Sequence, residues 1–339
     1  MLTRLGLAAR RAAAVPPWTD VYGLARTLIA AGTLLTLVFS PPEVLFAPVR
    51  GLMPAPYCGG TRAISLFCVM PEAQLPAARW LAVAILLVVA SGWRPRWTAV
   101  PHWWVAFSLQ ASASIPDGGD QVAANLTLLL LPLALTDRRR WHWSAPGTSG
   151  TSAVGAGEVG RLTGVAAGWL IRVQVAGIYL HASLGKLAVP EWRDGTALYY
   201  WLNNPNFGTA GWLREPTLHL LALGPAVAVL TWGSLALEFA LAVALVLPRR
   251  RWPALLLGGL ALHGGIAALM GLWSFSLAMF GALILYLRPF DQPFGLPLRW
   301  AAVRAGRARQ GTGEPAPARC RLPEDELRSG TSGGSRRRR

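Results

Sequence analysis

Apolar stretches close to 20 residues long dominate the chain, and short segments rich in charge, proline or glycine separate them. A helix needs about 20 apolar residues to cross the hydrocarbon core of a bilayer. The fold class is therefore predicted to be all-α, a polytopic transmembrane helix bundle, in which the second, third, fourth and eighth spans are short. The eight predicted spans are residues 21–40, 78–92, 98–115, 121–136, 162–187, 217–247, 253–271 and 273–288.

The arginines between the spans indicate which way the chain crosses the membrane. Arginines at 94 and 96 follow the second span, those at 138–140 the fourth, and those at 249–251 the sixth. The amino-terminal arginines and the basic tail fall on the same side. Because short loops that stay in the cytoplasm carry an excess of arginine and lysine, both termini are predicted to be cytoplasmic. This pattern predicts a multi-pass protein of the cell membrane.

The division into segments follows from the same pattern. Residues 1–20 are expected to form a cytoplasmic segment and residues 21–290 the membrane domain, with a flexible cytoplasmic connector at about 144–160. The first apolar run follows arginines, as in a signal peptide, but it is too long and lacks a convincing cleavage site. It is interpreted as a retained helix. Residues 291–339 are expected to be a basic, disordered tail.

Composition excludes an ordinary soluble domain. The chain is 53% hydrophobic and only 14% charged, with a formal net charge of +16. A basic chain could suggest a nucleic-acid partner, but the arginines are confined to loops and the tail. The expected partner is the lipid bilayer, and no nucleic acid is expected.

Ionisable side chains inside the predicted spans are costly unless they have a partner or a water-filled cavity. Lys186 is the most informative, because it is the only lysine among 32 lysine and arginine residues. An arginine stays protonated, whereas a desolvated lysine can lose its proton and act as a base or nucleophile. The alternative is a lysine that reaches from a helix end to the membrane surface. The ionisable residues inside the spans are Arg26, Arg172, His181, Lys186, Glu238 and His263.

Helical spacing places Lys186 among other polar groups of the fifth span. Arg172, Tyr179, Ser183 and Lys186 share one face, and His181 belongs to a second polar stripe. A helix with two polar faces is expected to border protein or water instead of lipid.

A second polar face is predicted on the fourth span. Gln121 and Asn125 are four positions apart, and Asp120 lies at the outer end of this helix. Since both polar faces rise toward the same side of the membrane, a shared outward-facing cavity is expected.

Glu238 and His263 are both expected at mid-bilayer depth, where they could form a structural pair or relay protons. Pairing is the favoured interpretation. His102 and His142 are expected at the membrane interface, and no metal-binding signature is present. Cys58 and Cys68 share the predicted outer loop after the first span, where they could form a disulfide.

The stretch from Gln174 to Leu187, followed by Pro190-Glu-Trp-Arg-Asp-Gly195, resembles the HTTM family. That family is the membrane domain shared with vitamin K-dependent gamma-carboxylases. Within it the chain is most similar to the bacterial sporulation-delaying protein B (SdpB) branch. The supporting segments are residues 22–26, 117–121, 137–143 and 238–239.

The resemblance implies a role for Lys186, which matches an active-site lysine of the carboxylases, the base that starts oxygenation of reduced vitamin K. A reduced quinone is therefore a possible cosubstrate. The position of an upstream carboxylase histidine falls near Asp120 or Gln121 in this sequence. Proteins of the SdpB branch are associated with producing an exported peptide toxin, together with a small partner protein.

The first functional hypothesis is a membrane maturation factor, possibly an enzyme, for an exported peptide or protein. The second is a transporter or an immunity-like binding protein, with Lys186, His181 and Glu238 along a substrate or proton path. The assigned residues are Lys186 as candidate base with His181, Asp120 and Gln121 as catalytic; Tyr179, Ser183, Asn125, Glu191, Trp192 and Asp194 as substrate-binding; and Glu238, His263 and Arg172 as structural.

Overall fold

The computed structural model describes residues 16–51, 55–144, 158–205, 207–290 and 292–294. Within these residues every regular element is a helix, and two segments pair only through an isolated bridge between Trp93 and Trp141. Most of the predicted amino-terminal segment, the connector and the tail lie outside the described residues.

Eight helices of 15 residues or more account for most of the described chain, and each overlaps one predicted span. The boundaries agree to within about four residues except at the sixth. The eight are α1 (Asp20–Phe39), α2 (Leu75–Ser91), α3 (Pro95–Ser112), α4 (Gly118–Leu135), α5 (Glu158–Leu187), α6 (Gly224–Ala242), α7 (Trp252–Met270) and α8 (Trp273–Leu287).

Six of these helices among the described residues are long and apolar enough to cross a membrane. They are α1, α2, α4, α5, α6 and α7, two of them extended at their start by a 3₁₀ turn. Of the remaining two, α3 carries several polar side chains, and α8 is apolar but only 15 residues long. The chain is thus a multi-pass helical membrane protein with at least these six spanning candidates.

The sixth predicted span, 217–247, is interrupted in the structure. A short helix at Arg214–Leu221 ends before α6, which begins at Gly224 with Pro225 in its first turn. Proline fits the first turn of a helix because the amide hydrogen it lacks has no partner there. At its other end α6 stops at Ala242 and is followed by a 3₁₀ turn, Ala244–Val246.

The centre of the bundle is α8, in which nearly every residue from Ser276 to Leu287 is buried. Glycines allow its backbone to approach α1 closely. A methyl group added at Gly281 would lie 2.6 Å from Ile29 Cγ1, and one added at Gly32 would lie 2.6 Å from the Ser274 carbonyl oxygen. Such contacts exclude any larger side chain, as is common where membrane helices cross closely.

The loop between α1 and α2 is fixed against the end of α3. A disulfide joins Cys58 and Cys68 within it. The Ser108 hydroxyl accepts a bond from the Leu66 amide at 2.8 Å, and the Ser112 hydroxyl donates to Ser65 Oγ at 2.6 Å. The loop is therefore a packed part of the bundle.

Candidate functional site

Lys186 lies in the last turn of α5, at the end of the buried face that runs along this helix. Arg172, Tyr179 and Ser183 are buried on that face, as their spacing predicts. The Lys186 side chain is 26% exposed, so it can be reached from outside the bundle.

The ammonium of Lys186 forms an ion pair with both carboxylate oxygens of Glu238 on α6. Glu238 is the more enclosed partner, with a side chain 9% exposed. Each charge is the other's partner, which is what buried ionisable groups require in a membrane.

Trp192 covers the pair from one side. Its ring centre lies 4.8 Å from Lys186 Nζ, within the range of a cation–π interaction. The ring is held by the short helix Pro190–Arg193 and the turn after it, in which Gly195 has φ +85° and packs against Trp232. A side chain at position 195 would strain this backbone. Local turn chemistry thus places an aromatic face on the lysine.

Behind the ion pair, His263 of α7 contacts α5 and α8. Its Nε2 lies 2.9 Å from the Tyr179 hydroxyl, and its ring packs edge-on against Phe275 at 5.4 Å between centres. Its Nδ1 is buried with no hydrogen-bond partner among the described residues. The Lys186 ammonium lies near this imidazole.

These five residues, Tyr179, Lys186, Trp192, Glu238 and His263, are called here the Lys186 cluster. They come from α5, α6, α7 and the turn after α5, so three separate helices must pack correctly to form it. It combines a partly exposed ammonium, an enclosed carboxylate and an imidazole, which is a set of groups able to hold and move protons.

Several other candidates lie outside this cluster. His181 is exposed on a different face of α5, and Gln121 and Asn125 are exposed on α4. The shared cavity expected between α4 and α5 is therefore not formed by these side chains. His181 also does not join the path expected through Lys186 and Glu238. It lies five positions before Lys186, so the two side chains are on different faces of α5.

Asp120 serves the start of α4 instead of contacting Lys186. It is buried, its amide donates to Asp117 Oδ1 at 2.8 Å, and its carboxylate accepts the Asp117 amide at 3.2 Å. This reciprocal arrangement is a capping box. Asp117 also accepts a bond from the Ser274 hydroxyl at 3.3 Å, which ties the starts of α4 and α8 together.

Near Lys186, Glu191 is half-buried and Asp194 is exposed. Asp194 accepts hydrogen bonds from the amide and hydroxyl of Thr196 and so stabilises the turn that carries Trp192. The pairing considered between Glu238 and His263 is not observed. Their partners are Lys186 and Tyr179, respectively.

Arg172 lies toward the opposite end of α5, about 21 Å from Lys186 along the helix axis. Its guanidinium sits 5.4 Å from the ring centres of Trp169 and Trp252 and 5.7 Å from that of Phe290. It belongs to an aromatic packing site and not to the Lys186 cluster.

A second polar cluster, which sequence patterns did not predict as a group, lies in the amino-terminal half. It is called here the Arg26 cluster and consists of Tyr22, Arg26, His102, Asp137 and His142. Arg26 Nη2 donates to Thr98 Oγ1 at 2.9 Å, and Asp137 pairs with Arg139 at 2.8 Å.

His102 and His142, which were expected at the membrane interface, are both buried inside the bundle. They are 2% and 0% exposed. Two glycines make room for His142, since a methyl group at Gly23 or Gly92 would collide with its ring. The glycines at these two positions were the only hint in the sequence of a buried ring, and they could be interpreted only once the neighbouring segments were known.

Comparison with known proteins gives two relatives, both from Bacillus subtilis (strain 168). The chain is 41% identical over 277 residues to the uncharacterized protein YitO, covering 81% of this chain and 87% of that protein. It is 33% identical over 291 residues to the sporulation-delaying protein SdpB, covering 84% and 86%. No family model matches the chain. No solved structure matches it either.

Proposed function

The chain belongs to the family of SdpB and YitO, and from that premise we propose that it is a membrane maturation factor for an exported peptide or protein, acting through the Lys186 cluster. The observation that carries the proposal is the paired but accessible Lys186, held between Glu238 and Trp192. The expected partners are the precursor of the exported product and a small partner protein.

The choice of lysine at position 186 supports a role beyond pairing. If the ion pair alone mattered, arginine would satisfy both oxygens of Glu238 at least as well, through two parallel hydrogen bonds. This chain uses arginine at every other position that carries a permanent positive charge. A lysine here provides an amine that can give its proton to the adjoining carboxylate.

Proton transfer is the chemistry that this arrangement offers. When a peptide segment covers the exposed side of Lys186 and removes water, the charged pair becomes more costly relative to the neutral amine and acid. The proton then moves from Lys186 Nζ to a Glu238 oxygen. The neutral amine is free to act on the bound segment as a base or nucleophile.

A quinone is not part of this proposal, although the HTTM resemblance raised one. Trp192, the aromatic ring packed on Lys186, is 7% exposed, and the ammonium already occupies its face. It has no room to stack a quinone ring as well.

The proposed topology is eight crossings of the cell membrane with both termini in the cytoplasm and the Lys186 cluster near the outer surface. Contacts between loops support it. The Arg94 amide donates to the Arg140 carbonyl at 2.8 Å, so two arginine-bearing loops adjoin at one end of the bundle. At the other end the starts of α4 and α8 meet.

Reporter fusions test this topology. Fusions after residues 95, 145 and 250 should report cytoplasm, and those after 60, 118 and 200 should report the outside. An outside signal at 145 would contradict the proposed orientation. The division into a short amino-terminal segment, a membrane domain at 21–290 and a basic tail at 291–339 is proposed with it.

The function is tested by mass spectrometry of the exported product in strains that carry Lys186→Arg, Lys186→Ala or no copy of the gene. At matched protein level both variants should abolish the mature product, because arginine keeps the charge and the ion pair but cannot lose its proton. Arg193→Lys is the matched control. It makes the reverse exchange on an exposed neighbour and should leave the product unchanged. A fully active Lys186→Arg protein would leave Lys186 as a structural anchor.

A further inference from the structure

A cavity of about 480 Å³ lies at the end of the bundle opposite Lys186, between the start of α7 and the segment that follows α8. Its position follows from Trp252, the first residue of α7, which contacts Arg172 near the far end of α5. The Lys186 cluster takes no part in it.

One wall of this cavity is apolar and reaches the outer surface of the bundle. Leu256, Leu257 and Leu260 line it, with Leu287 at its base. Leu257 is 70% exposed and Leu287 is 2% exposed, so the groove runs from the outer surface of α7 inward to α8. Its apolar lining suits a hydrocarbon chain.

The mouth of the cavity is basic. Arg249, Arg250 and Arg288 line it. Arg249 lies over the Trp252 ring at 5.5 Å, and Arg288 Nε donates to the Gln292 carbonyl at 3.0 Å, so both stems are held in place. No carboxylate lines the cavity within the part of the chain that the structure describes, and the remaining guanidinium hydrogens are available to an anion.

We propose that this groove binds one anionic phospholipid, with its phosphate on the three arginines and an acyl chain along the leucines of α7. Charge complementarity selects the occupant. Basic pockets between membrane helices are known sites for acidic lipid head groups.

A second basic cavity, about 370 Å³, provides an internal control. Arg94, Arg96, Arg138 and Arg139 line it with Trp97, but it also contains Asp137 and no leucine. It offers positive charge without an apolar groove, so it should attract phosphate groups without retaining a lipid.

The experiment counts bound lipids by native mass spectrometry on the full-length purified protein. The probes are phosphatidylglycerol, phosphatidylcholine with the same acyl chains, and inorganic phosphate. Each arginine that contacts the phosphate of the bound lipid contributes about five-fold to affinity, so the triple variant Arg249→Gln, Arg250→Gln, Arg288→Gln should bind phosphatidylglycerol up to about 100-fold more weakly. The matched triple variant Arg94→Gln, Arg96→Gln, Arg138→Gln should stay within about three-fold of wild type.

Leu256→Ala with Leu257→Ala separates a lipid from a free phosphate. This variant should weaken phosphatidylglycerol binding and leave phosphate binding unchanged. If the triple variant does not fold, single arginine variants replace it, each expected to lose about five-fold in affinity for phosphatidylglycerol. Equal losses in both triple variants, equal binding of phosphatidylcholine, or no effect of the leucine changes would each overturn the proposal.

Discussion

The Lys186 cluster and the Arg26 cluster contain similar chemical groups in opposite settings. Each has a basic side chain, a carboxylate, a tyrosine and histidine. Lys186 is 26% exposed, whereas Arg26 is 1% and His142 is 0% exposed. Arg26 and His142 are enclosed and cannot exchange a ligand with the surroundings, so they serve the fold. Asp137 is also buried, although it borders the open basic cavity. An accessible cluster can change partners, which is what a function requires.

The helices around the two clusters differ in the same way. Within the apolar 18-residue stretch of each helix, 56% is buried in α1 and α4, compared with 22% in α6 and 17% in α7. The Arg26 cluster therefore lies in the packed part of the bundle, and the Lys186 cluster lies where the helices are less buried. Regions with fewer buried contacts open more easily, so the two clusters should respond differently to substitution.

Asp137→Asn should produce the largest loss of stability. Asp137 is 1% exposed and accepts bonds from Arg139 Nε and Nη2. Removing its charge takes away the anion beside the buried Arg26 and the enclosed Arg139, at a cost of about 3 kcal/mol. Unfolding by sodium dodecyl sulfate of the purified protein measures the change.

Arg138→Gln and Arg139→Gln provide the control for that prediction. Both remove one arginine from the same loop, but Arg138 is exposed and Arg139 pairs with Asp137. Only the second should be strongly destabilising. Equal, small effects of Asp137→Asn and Arg138→Gln would remove the distinction between a sealed and an open cluster.

Replacing Cys58 and Cys68 together by serine should cost about 2–3 kcal/mol, as expected for opening a loop closed over 10 positions. The loop packs on α3 in the amino-terminal half, so activity per folded molecule should not change. Thiol labelling of intact cells should fail before reduction and succeed afterwards. Labelling of both cysteines without a reductant would show that they are not joined.

Glu238→Leu should destabilise the protein more than Glu238→Gln. Leu removes every acceptor for Lys186, whereas Gln keeps one carbonyl oxygen within reach. Because Lys186 is partly exposed, water can replace the lost partner, and the Leu variant should lose only about 1–2 kcal/mol. Thermal unfolding of both variants in the same detergent gives the comparison. Equal midpoints would mean that Lys186 does not depend on Glu238 for stability.

The smallest effect concerns pH and His142. Burial, followed by the charges of Arg26 and Arg139, lowers the pKa of His142 well below its ordinary value of 6.5. The unfolded chain then binds a proton that the folded chain does not, so stability is full above about pH 6.5 and falls as the pH decreases below it. His142→Gln should flatten this dependence between pH 7 and 5. An identical pH profile in the variant would exclude His142 as its source.

Sequence patterns predicted which segments are helical better than they predicted which helices pack against each other. A run of apolar residues determines that a segment is helical and membrane-bound, and Lys186 was identified by its rarity. Its partner was not identified, because hydropathy does not define the rotation of α6 about its axis, and Glu238 could have faced His263 equally well. For the same reason the sequence did not predict that Gln121 and Asn125 are exposed on α4. Helical spacing alone does not say which face meets a neighbouring helix.

The Arg26 cluster shows a second limit. Its residues come from α1, α3 and the loop after α4, and the glycines at 23 and 92 acquire meaning only when that loop folds over them. Likewise, the break before α6 was visible as Gly224-Pro225, but a proline near a span end also fits a continuous helix with a kink.

The central position of α8 has a consequence for how the protein is made. Ribosomes deliver the chain from its amino terminus, so α1 to α7 enter the membrane before the helix on which α1 and α4 pack has been synthesised. Until then the faces of Gly32 and Gly119 that receive α8 have no partner. Pairs such as α3 with α4 can pack as they emerge, but the faces that receive α8 stay open. Assembly of the bundle waits for its eighth long helix, and a ribosome that stalls before that point leaves an open intermediate for the proteases of the membrane.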